Sequence, residues 1–263
     1  MQQTTDHESH RRSGIAYQIR RATSSLVDFV LPPACAFCTR DLQNDFEASV
    51  DRINLCGKCR KNFTDDERSA CLKCGSPVGP YVDTTQGCPE CSRRNFRFDQ
   101  VIRLGVYEDS LRTACIRGKS RGAESLAASL ASFHYHKHQA KFAEFAPEVI
   151  VPIPQFWLHR FMRPHHQALT MAEVLAEHLG IPCDDRAVRK SRRTIDQSSL
   201  PRSKRLTNLK QAYAVRRNHK LSGKRVLIVD DILTTGTTSN EVAKVLRKVG
   251  ASSVAVAVIA VVP

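Results

Sequence analysis

The sequence lacks the features of a membrane or secreted protein. Its 263 residues contain no run of 18 uncharged apolar residues, so no membrane span is expected. Residues 1–12 are polar and charged and lack the apolar core of a signal peptide. We therefore expect a cytoplasmic protein that does not enter a membrane. Residues 1–29 are predicted to form a disordered or helical extension.

Aromatic residues are scarce, at 6% of the chain, and one long segment is almost without acids. Residues 186–225 contain fourteen Lys or Arg and a single acid, Asp196, a net charge of +13 against +14 for the whole chain. Such a segment attracts polyanions through counterion release, and it can equally close as a flap over an anionic ligand. Tyr213 is its one aromatic residue, so stacking on bases and sequence-specific recognition are not expected.

Cysteine, by contrast, is abundant. Eight of the ten cysteines form four Cys-x-x-Cys pairs within 57 residues, and two such pairs complete a tetrahedral Zn²⁺ site. Disulfides are the weaker interpretation because no signal sequence is present. We expect two structural zinc ions and favour pairing in sequence order, which keeps the connecting loops short, over a cross-braced alternative. Cys115 and Cys183 are predicted to be packed apolar groups. The ligands are Cys35, Cys38, Cys56, Cys59, Cys71, Cys74, Cys88 and Cys91.

The most informative segment, residues 226–238, reads Val-Leu-Ile-Val-Asp-Asp-Ile-Leu-Thr-Thr-Gly-Thr-Thr. Its apolar residues predict a buried strand that ends at Asp230 and Asp231, followed by a turn of small residues and a helix capped by Ser239. Backbone N–H groups and hydroxyls at such a turn bind a phosphate. The two carboxylates repel a phosphate but suit sugar hydroxyls or an accompanying cation. The segment therefore predicts a site for a ribose phosphate.

Strands and helices alternate through the rest of the chain. Apolar runs and helical periodicity predict strands at 101–107, 149–153 and 254–262, and helices at 111–116, 122–145 and 167–179. Three alternating histidines, His134, His136 and His138, do not share one helix face, and solvated side chains are expected there. The alternation predicts an α/β fold, with a parallel sheet covered by helices on both faces.

Residues 226–238 resemble the phosphoribosyl-pyrophosphate (PRPP) motif of type I phosphoribosyltransferases. The resemblance implies that Asp230 and Asp231 hold the 2- and 3-hydroxyls of the ribose. It implies that the turn wraps the 5-phosphate through amides and hydroxyls. A Walker-type nucleotide-binding loop is not expected at Gly118, because Thr113 occupies the position at which that motif requires its first glycine. The turn residues are Thr234, Thr235, Gly236, Thr237 and Thr238.

Together with the cysteine pairs, these features resemble the ComF family over nearly everything after about residue 30. The likeness also rests on Lys119, on the Val-Pro-Ile-Pro run at 151–154, and on Arg163 and Gln167 after it. It implies a type I phosphoribosyltransferase-like parallel sheet flanked by helices, preceded by a small zinc-ribbon module. The implied divisions are a double zinc ribbon at 30–95 and a transferase-like domain at 96–263, with a basic flap at 186–225.

A phosphoribosyl transfer releases pyrophosphate, whose charge must be masked by Mg²⁺ and by cationic or amide donors. Lys119 and Arg163 are candidate cations, with ordinary surface charge as the alternative for each. His165 or His166 is a candidate general base, since imidazole titrates near neutrality, although a structural role is the commoner one. The resemblance implies that four residues form a pyrophosphate loop: Val151, Pro152, Ile153 and Pro154. The two prolines have no backbone N–H to donate.

Three functions are open at this point. The first is an active phosphoribosyltransferase with an unknown acceptor. The family resemblance links this activity to the uptake of DNA during natural competence. The second is a non-catalytic competence factor that binds single-stranded DNA through residues 186–225 and keeps a PRPP-sensing or vestigial pocket. The third is an assembly protein whose zinc ribbons recruit a partner such as a competence helicase. We favour the first.

Overall fold

The computed structural model describes residues 33–42, 53–64, 69–92, 94–154, 166–191, 212–217 and 219–263. None of the helices in these ranges combines the length and the apolar character needed to cross a bilayer. The elements, in chain order, are α1 (Gly57–Phe63), β1 (Ser69–Ala70), β2 (Pro77–Val78), β3 (Gln100–Val106), α2 (Asp109–Arg117), α3 (Glu124–Lys137), α4 (Gln139–Phe145), β4 (Val149–Pro152), α5 (Gln167–Leu179), β5 (Val188–Lys190), β6 (Tyr213–Val215), β7 (Arg225–Leu233), α6 (Thr237–Lys248) and β8 (Ser253–Val261).

Four parallel strands form the central sheet in the order β3-β8-β7-β4. Side chains along β7 alternate between two apolar clusters, because successive residues of a strand point to opposite faces. Leu227 and Val229 join the cluster that includes residues of α2, α3 and α5. Val226 and Ile228 join the cluster that includes residues of α6. The predicted fold, a parallel sheet with helices on both faces, is confirmed.

The ends of the predicted elements differ from the observed ones. The helix predicted over 122–145 is two helices, α3 and α4, which meet at His138. Strand β7 does not end at Asp230 but continues to Leu233, because Ile232 and Leu233 keep pairing with β8. Helix α6 begins at Thr237, so Ser239 is not its cap.

The expectation of solvated histidines on α3 is wrong for His134, whose side chain is fully buried. Leu126, Leu130 and His134 are spaced four residues apart, which places them on one face of the helix. That face packs on α5, so His134 occupies a core position, with its ring 5.3 Å from that of Phe142. The position of His134 on the apolar face of α3, and not the polarity of its side chain, therefore determines that it is buried.

Both zinc-ribbon segments pack directly on the sheet. Residues of the first segment, including Phe63, lie in the same apolar cluster as strands β3, β7 and β8. In the second segment, the Val101 N–H donates to the Leu72 carbonyl at 2.9 Å, which joins it to β3. Gly75, at φ 72°, sits so close to Val101 that an added Cβ would lie 2.9 Å from its methyl carbon. The described chain is thus continuous in its packing from the ribbons to the sheet.

Candidate functional site

The paired aspartates lie at the carboxyl end of the sheet. Pairing between β4 and β7 stops at Val229, whereas pairing between β7 and β8 continues to Leu233. Asp230 and Asp231 therefore stand beyond the end of one neighbouring strand while the other still supports them. This geometry places both carboxylates at a rim where ligands bind in open parallel sheets.

The two carboxylates are fixed by local hydrogen bonds. Asp230 Oδ1 accepts the N–H of Asp231 at 2.9 Å, and Asp231 Oδ1 accepts the N–H of Ile232 at 2.8 Å. Lys119, in the loop between α2 and α3, places its Nζ 2.8 Å from Asp231 Oδ2. The structure thus brings together three residues that the sequence predicted for one site. These contacts leave Asp230 Oδ2 unused, whereas both oxygens of Asp231 are engaged, Oδ1 by the Ile232 N–H and Oδ2 by Lys119.

The electrostatics of the site favour one retained positive charge. Burial raises the pKa of Asp230 well above its usual range, and the adjacent Asp231 carboxylate raises it further. Burial tends to lower the pKa of Lys119, but the Asp231 and Asp230 carboxylates outweigh it, so the pKa is raised. Lys119 therefore stays charged beside the aspartates at neutral pH.

Tyr213 lies near the carboxylates of both Asp230 and Glu241, and the sequence predicted neither Tyr213 nor Glu241 as part of this site. Burial raises the pKa of Tyr213, and the Asp230 and Glu241 carboxylates act in the same direction. Glu241 is buried in α6, where it accepts a hydrogen bond from Lys244 Nζ at 2.5 Å. An acid close to the start of the helix after the motif was the available signal for Glu241. Tyr213 carried none, because β6 reaches the site only through the fold.

The threonine turn leads into α6 with a left-handed glycine at the boundary. Gly236 has φ 70° and is the residue before the first helical one, Thr237. Thr235 Oγ1 lies 2.8 Å from Thr237 Oγ1. The backbone N–H groups of Thr238 and Ser239 find no acceptor within the described ranges. Donors of this kind at the start of a helix are suited to an anion.

The predicted pyrophosphate loop offers few backbone donors. Val151 and Pro152 lie in β4, and the Ile153 N–H donates to the Val229 carbonyl at 2.9 Å. Pro154 has no N–H, so residues 152–154 leave no unpaired amide. Arg163 and His165 lie outside the described residues. His166 Nε2 is 3.1 Å from the Ile153 carbonyl oxygen, which places the imidazole against this loop.

The eight paired cysteines form two compact tetrads, Cys35/Cys38/Cys56/Cys59 and Cys71/Cys74/Cys88/Cys91. The grouping confirms pairing in sequence order and excludes the cross-braced alternative. Close Sγ–Sγ distances are 3.6–3.8 Å, and no disulfide is present among the described cysteines. A Zn–S bond of about 2.3 Å gives a tetrahedron edge of about 3.8 Å, so both tetrads fit Zn²⁺. Cys115 is buried in the apolar core, as expected, and the partly buried Cys183 packs against the same core.

The basic segment is described only at its two ends. Strands β5 and β6 pair as an antiparallel ribbon, and Val188 and Tyr213 are buried against the sheet core. The predicted flap falls largely on residues 192–211, which lie outside the described ranges. In this part of the chain His219 Nδ1 lies 2.5 Å from Asp184 Oδ2, a contact that the sequence did not indicate.

Comparison with known proteins gives two family matches. Residues 162–263 match the phosphoribosyl transferase domain, and residues 26–92 match the double zinc ribbon domain. Competence protein F of Haemophilus influenzae is 29% identical over 231 residues, 84% of this chain and 94% of that protein. DNA utilization protein YhgH of Escherichia coli (strain K12) is 24% identical over 230 residues, 86% and 96% of the two chains. A purine phosphoribosyltransferase from Pyrococcus horikoshii is similar in structure at 23% identity and a TM-score of 0.30, covering 48% of this chain and 68% of its own.

Proposed function

We propose that this chain, which is similar to competence protein F over most of its length, binds PRPP with Mg²⁺ and transfers its phosphoribosyl group to an acceptor. One observation carries the proposal. The half-buried carboxylates of Asp230 and Asp231 lie on β7, just before the turn, and the backbone N–H groups of Thr238 and Ser239 after it have no acceptor among the described residues. One strand–turn–helix unit therefore offers carboxylates that can accept hydrogen bonds from sugar hydroxyls and amides that can donate to a phosphate. This combination matches a phosphorylated pentose.

In this proposal the turn holds the 5-phosphate of PRPP. The free N–H groups at the start of α6 donate to the phosphate oxygens, and the helix dipole adds favourable potential. The hydroxyls of Thr235 and Thr237, which share a 2.8 Å contact, can redirect their hydrogens toward the phosphate. Because Gly236 is in the left-handed region, the backbone turns sharply enough for several donors to converge.

The aspartates take the ribose end of the ligand. Asp230 Oδ2 and the remaining lone pairs of the Asp231 carboxylate accept hydrogen bonds from the 2- and 3-hydroxyls, which fixes the sugar ring relative to the phosphate. Lys119 balances one of the two charges and is the proposed cation for the pyrophosphate. The paired carboxylates also suit Mg²⁺, which binds through one or two carboxylates plus substrate phosphates. When bound, the ion masks the charge of the departing pyrophosphate.

The transfer itself places few demands on protein acids and bases. A bond forms between the acceptor nucleophile and C1 of the ribose while the C1–O bond to pyrophosphate breaks, and pyrophosphate leaves with the electron pair. The acceptor gives up a proton to a base or to water. Asp230, Asp231 and the turn hold C1 in place, and Lys119, with Arg163 as a further proposed cation, stabilises the departing charge.

Calorimetric titration of the purified protein with PRPP and Mg²⁺ tests the site. We expect binding by the wild type and its loss in a variant carrying Asp230→Asn and Asp231→Asn. Asp83→Asn, which neutralises an exposed acid on the second ribbon, is the matched control. No binding by the wild type, or equal binding by all three proteins, would overturn the assignment. A screen of nucleobases and amines for PRPP-dependent pyrophosphate release then identifies the acceptor.

A second candidate role, single-stranded DNA binding during uptake in the cytoplasm, is favoured by the relatives and by charge. Two similar proteins carry the names competence protein F and DNA utilization protein. The net charge of +13 at 186–225 supplies the electrostatic attraction. Binding should weaken steeply with salt and should not change when Asp230 and Asp231 are neutralised. Binding that is salt-independent would remove this role.

We also propose that the transferase-like domain spans 96–263 and the double zinc ribbon 30–95, in line with the two family matches. A competence helicase is the proposed protein partner of the ribbons. Co-purification with wild-type protein, lost on substitutions confined to exposed ribbon positions such as Tyr81, tests that partner.

A further inference from the structure

The second zinc ribbon contacts the threonine turn directly. A narrow cleft lies between them, lined by Cys74 and Cys91 on the ribbon side and by Thr234, Thr235 and Gly236 on the other. No sequence motif indicated this contact, since the two segments are about 140 residues apart. The second cysteine tetrad therefore lies next to the turn that is proposed to hold the phosphate.

Arg94 makes the polar connection. Its own N–H donates to the Cys91 carbonyl at 2.8 Å, which fixes Arg94 to the end of the second tetrad. Its Nη1 donates to the Thr235 carbonyl at 3.3 Å. A zinc ligand, an arginine and the backbone of the turn are thus linked in series.

The Arg94 contact has a directional consequence for the turn. A trans peptide is planar, so the carbonyl of Thr235 and the N–H of Gly236 point in opposite directions. When Arg94 takes the carbonyl on the ribbon side, the Gly236 N–H is aimed away from the ribbon. That N–H has no acceptor within the described ranges. Arg94 therefore orients a free amide donor without itself touching the ligand site.

Phe96 provides the apolar part of the same support. It packs against both the second cysteine tetrad and the sheet core, and its ring is stacked on Phe98 at 4.6 Å. A Cβ at Gly236 would lie 3.0 Å from the Phe96 ring, so the turn is seated closely on it. The next residue, Arg97, donates its backbone N–H to Asn240 Oδ1 at 2.7 Å, which extends the contact to the first turn of α6.

We propose that Arg94 is a positioning residue for the phosphate turn and that the second zinc ribbon acts as its support. The ribbon holds Arg94, Arg94 holds the 235–236 peptide, and the peptide presents the Gly236 amide. The identity of the ligand as PRPP rests on the proposed function, but the support of the turn does not.

The test compares Arg94→Ala with Arg97→Ala in the full-length protein. Both variants remove one arginine side chain from the same segment, but within the described ranges the hydrogen bonds of Arg97 use only its backbone. Amide hydrogen exchange of residues 234–240 and calorimetric PRPP binding are measured, with zinc content as a check. We expect Arg94→Ala to keep two zinc ions, to speed exchange in the turn and to weaken PRPP binding by about tenfold. Arg97→Ala should match the wild type.

The outcomes separate the two proposals. Faster exchange in Arg94→Ala alone, with a wild type that does not bind PRPP, would support the positioning role and reject the ligand. Unchanged exchange in Arg94→Ala, or equal changes in both variants, would overturn the positioning role whatever the ligand. Arg94→Lys, which keeps the charge but loses the planar guanidinium, should restore exchange protection only in part.

Discussion

Lys119 Nζ lies 2.8 Å from Asp231 Oδ2, so a cation from the α2–α3 loop already occupies the edge of the proposed ribose site. The Asp231 side chain is 18% exposed and that of Lys119 is 44% exposed, which makes the pair accessible to a ligand. A ligand that hydrogen-bonds Asp231 must share this carboxylate with the ammonium group. Lys119 thereby connects charge balance in the free protein with contact to the ligand.

Replacing Lys119 with Met should lower PRPP affinity by about tenfold, because the aspartates lose the charge that balances them. Lys119→Arg should retain most of the binding, and Lys248→Met, at an exposed position of α6, should have no effect. Calorimetry with PRPP and Mg²⁺ gives the affinities. Equal losses for Lys119→Met and Lys248→Met would show that the ion pair has no role in binding.

The variant Asp230→Asn should be more stable than the wild type while binding PRPP poorly. Burial and Asp231 raise the pKa of Asp230, which means that the folded state disfavours its charge. A neutral amide removes that penalty at pH 7. A gain of about 1 kcal/mol corresponds to a Tm increase of roughly 2–4 °C for a chain of this size. Differential scanning fluorimetry measures it, and a lower Tm would contradict the prediction.

Stability should fall on acidification because of two histidines, the buried His134 on α3 and the half-buried His138 where α3 meets α4. Burial lowers the pKa of His134 well below 6.5 and that of His138 to about 4, with nearby lysines contributing. The unfolded chain takes up protons below about pH 6.5 while these folded side chains do not, so stability is present above that pH and declines from there toward pH 4. The slope is about 1.4 kcal/mol per pH unit for each fully buried group.

Urea unfolding at pH 7.5 and pH 5.0 checks this dependence. His134→Leu keeps the apolar contacts and should lose about 2 kcal/mol less than the wild type between the two values. His136→Leu, at a partly exposed position on the same helix, is the matched control. Equal acid sensitivity of His134→Leu and the wild type would contradict the assignment of this effect to His134.

The purified chain should contain two zinc ions, one in each tetrad. Cys88→Ser should reduce the zinc content to one and lower the Tm, because three thiolates hold the ion poorly and its binding contributes to folding. Cys183→Ser, outside both tetrads, should retain two. Metal analysis after exhaustive dialysis measures the content. An unchanged two ions in Cys88→Ser would contradict the predicted ligand set.

Local pattern was enough to predict the fold class and the cysteine grouping. Strands β3, β4 and β8 and helix α5 are close to the predicted ranges, because each is a single apolar run or an uninterrupted helical period. The pairing of cysteines in sequence order is confirmed, since short loops bring neighbouring pairs together first. The paired aspartates and the threonine turn could be recognised as a site because an ordinary loop between a strand and a helix needs neither two adjacent aspartates nor four threonines.

The errors come from contacts between distant parts of the chain. Strand β7 continues past Asp231 only because β8 supplies a partner there. His134 is buried because α5 covers that face of α3. Arg94 and Phe96 had no motif of their own, and their place beside Thr235 and Gly236 depends on how the ribbon docks. Position within a tertiary interface is not encoded in local periodicity.

The shared core of the first ribbon and the sheet has a consequence for synthesis of the protein. Leu55 and Phe63, which leave the ribosome early, belong to the same apolar cluster as Ile259 and Ala260 in the final strand. Strand β3 likewise pairs only with that strand in the described sheet. The nascent chain must therefore keep these early apolar residues from aggregating until β8 has been synthesised.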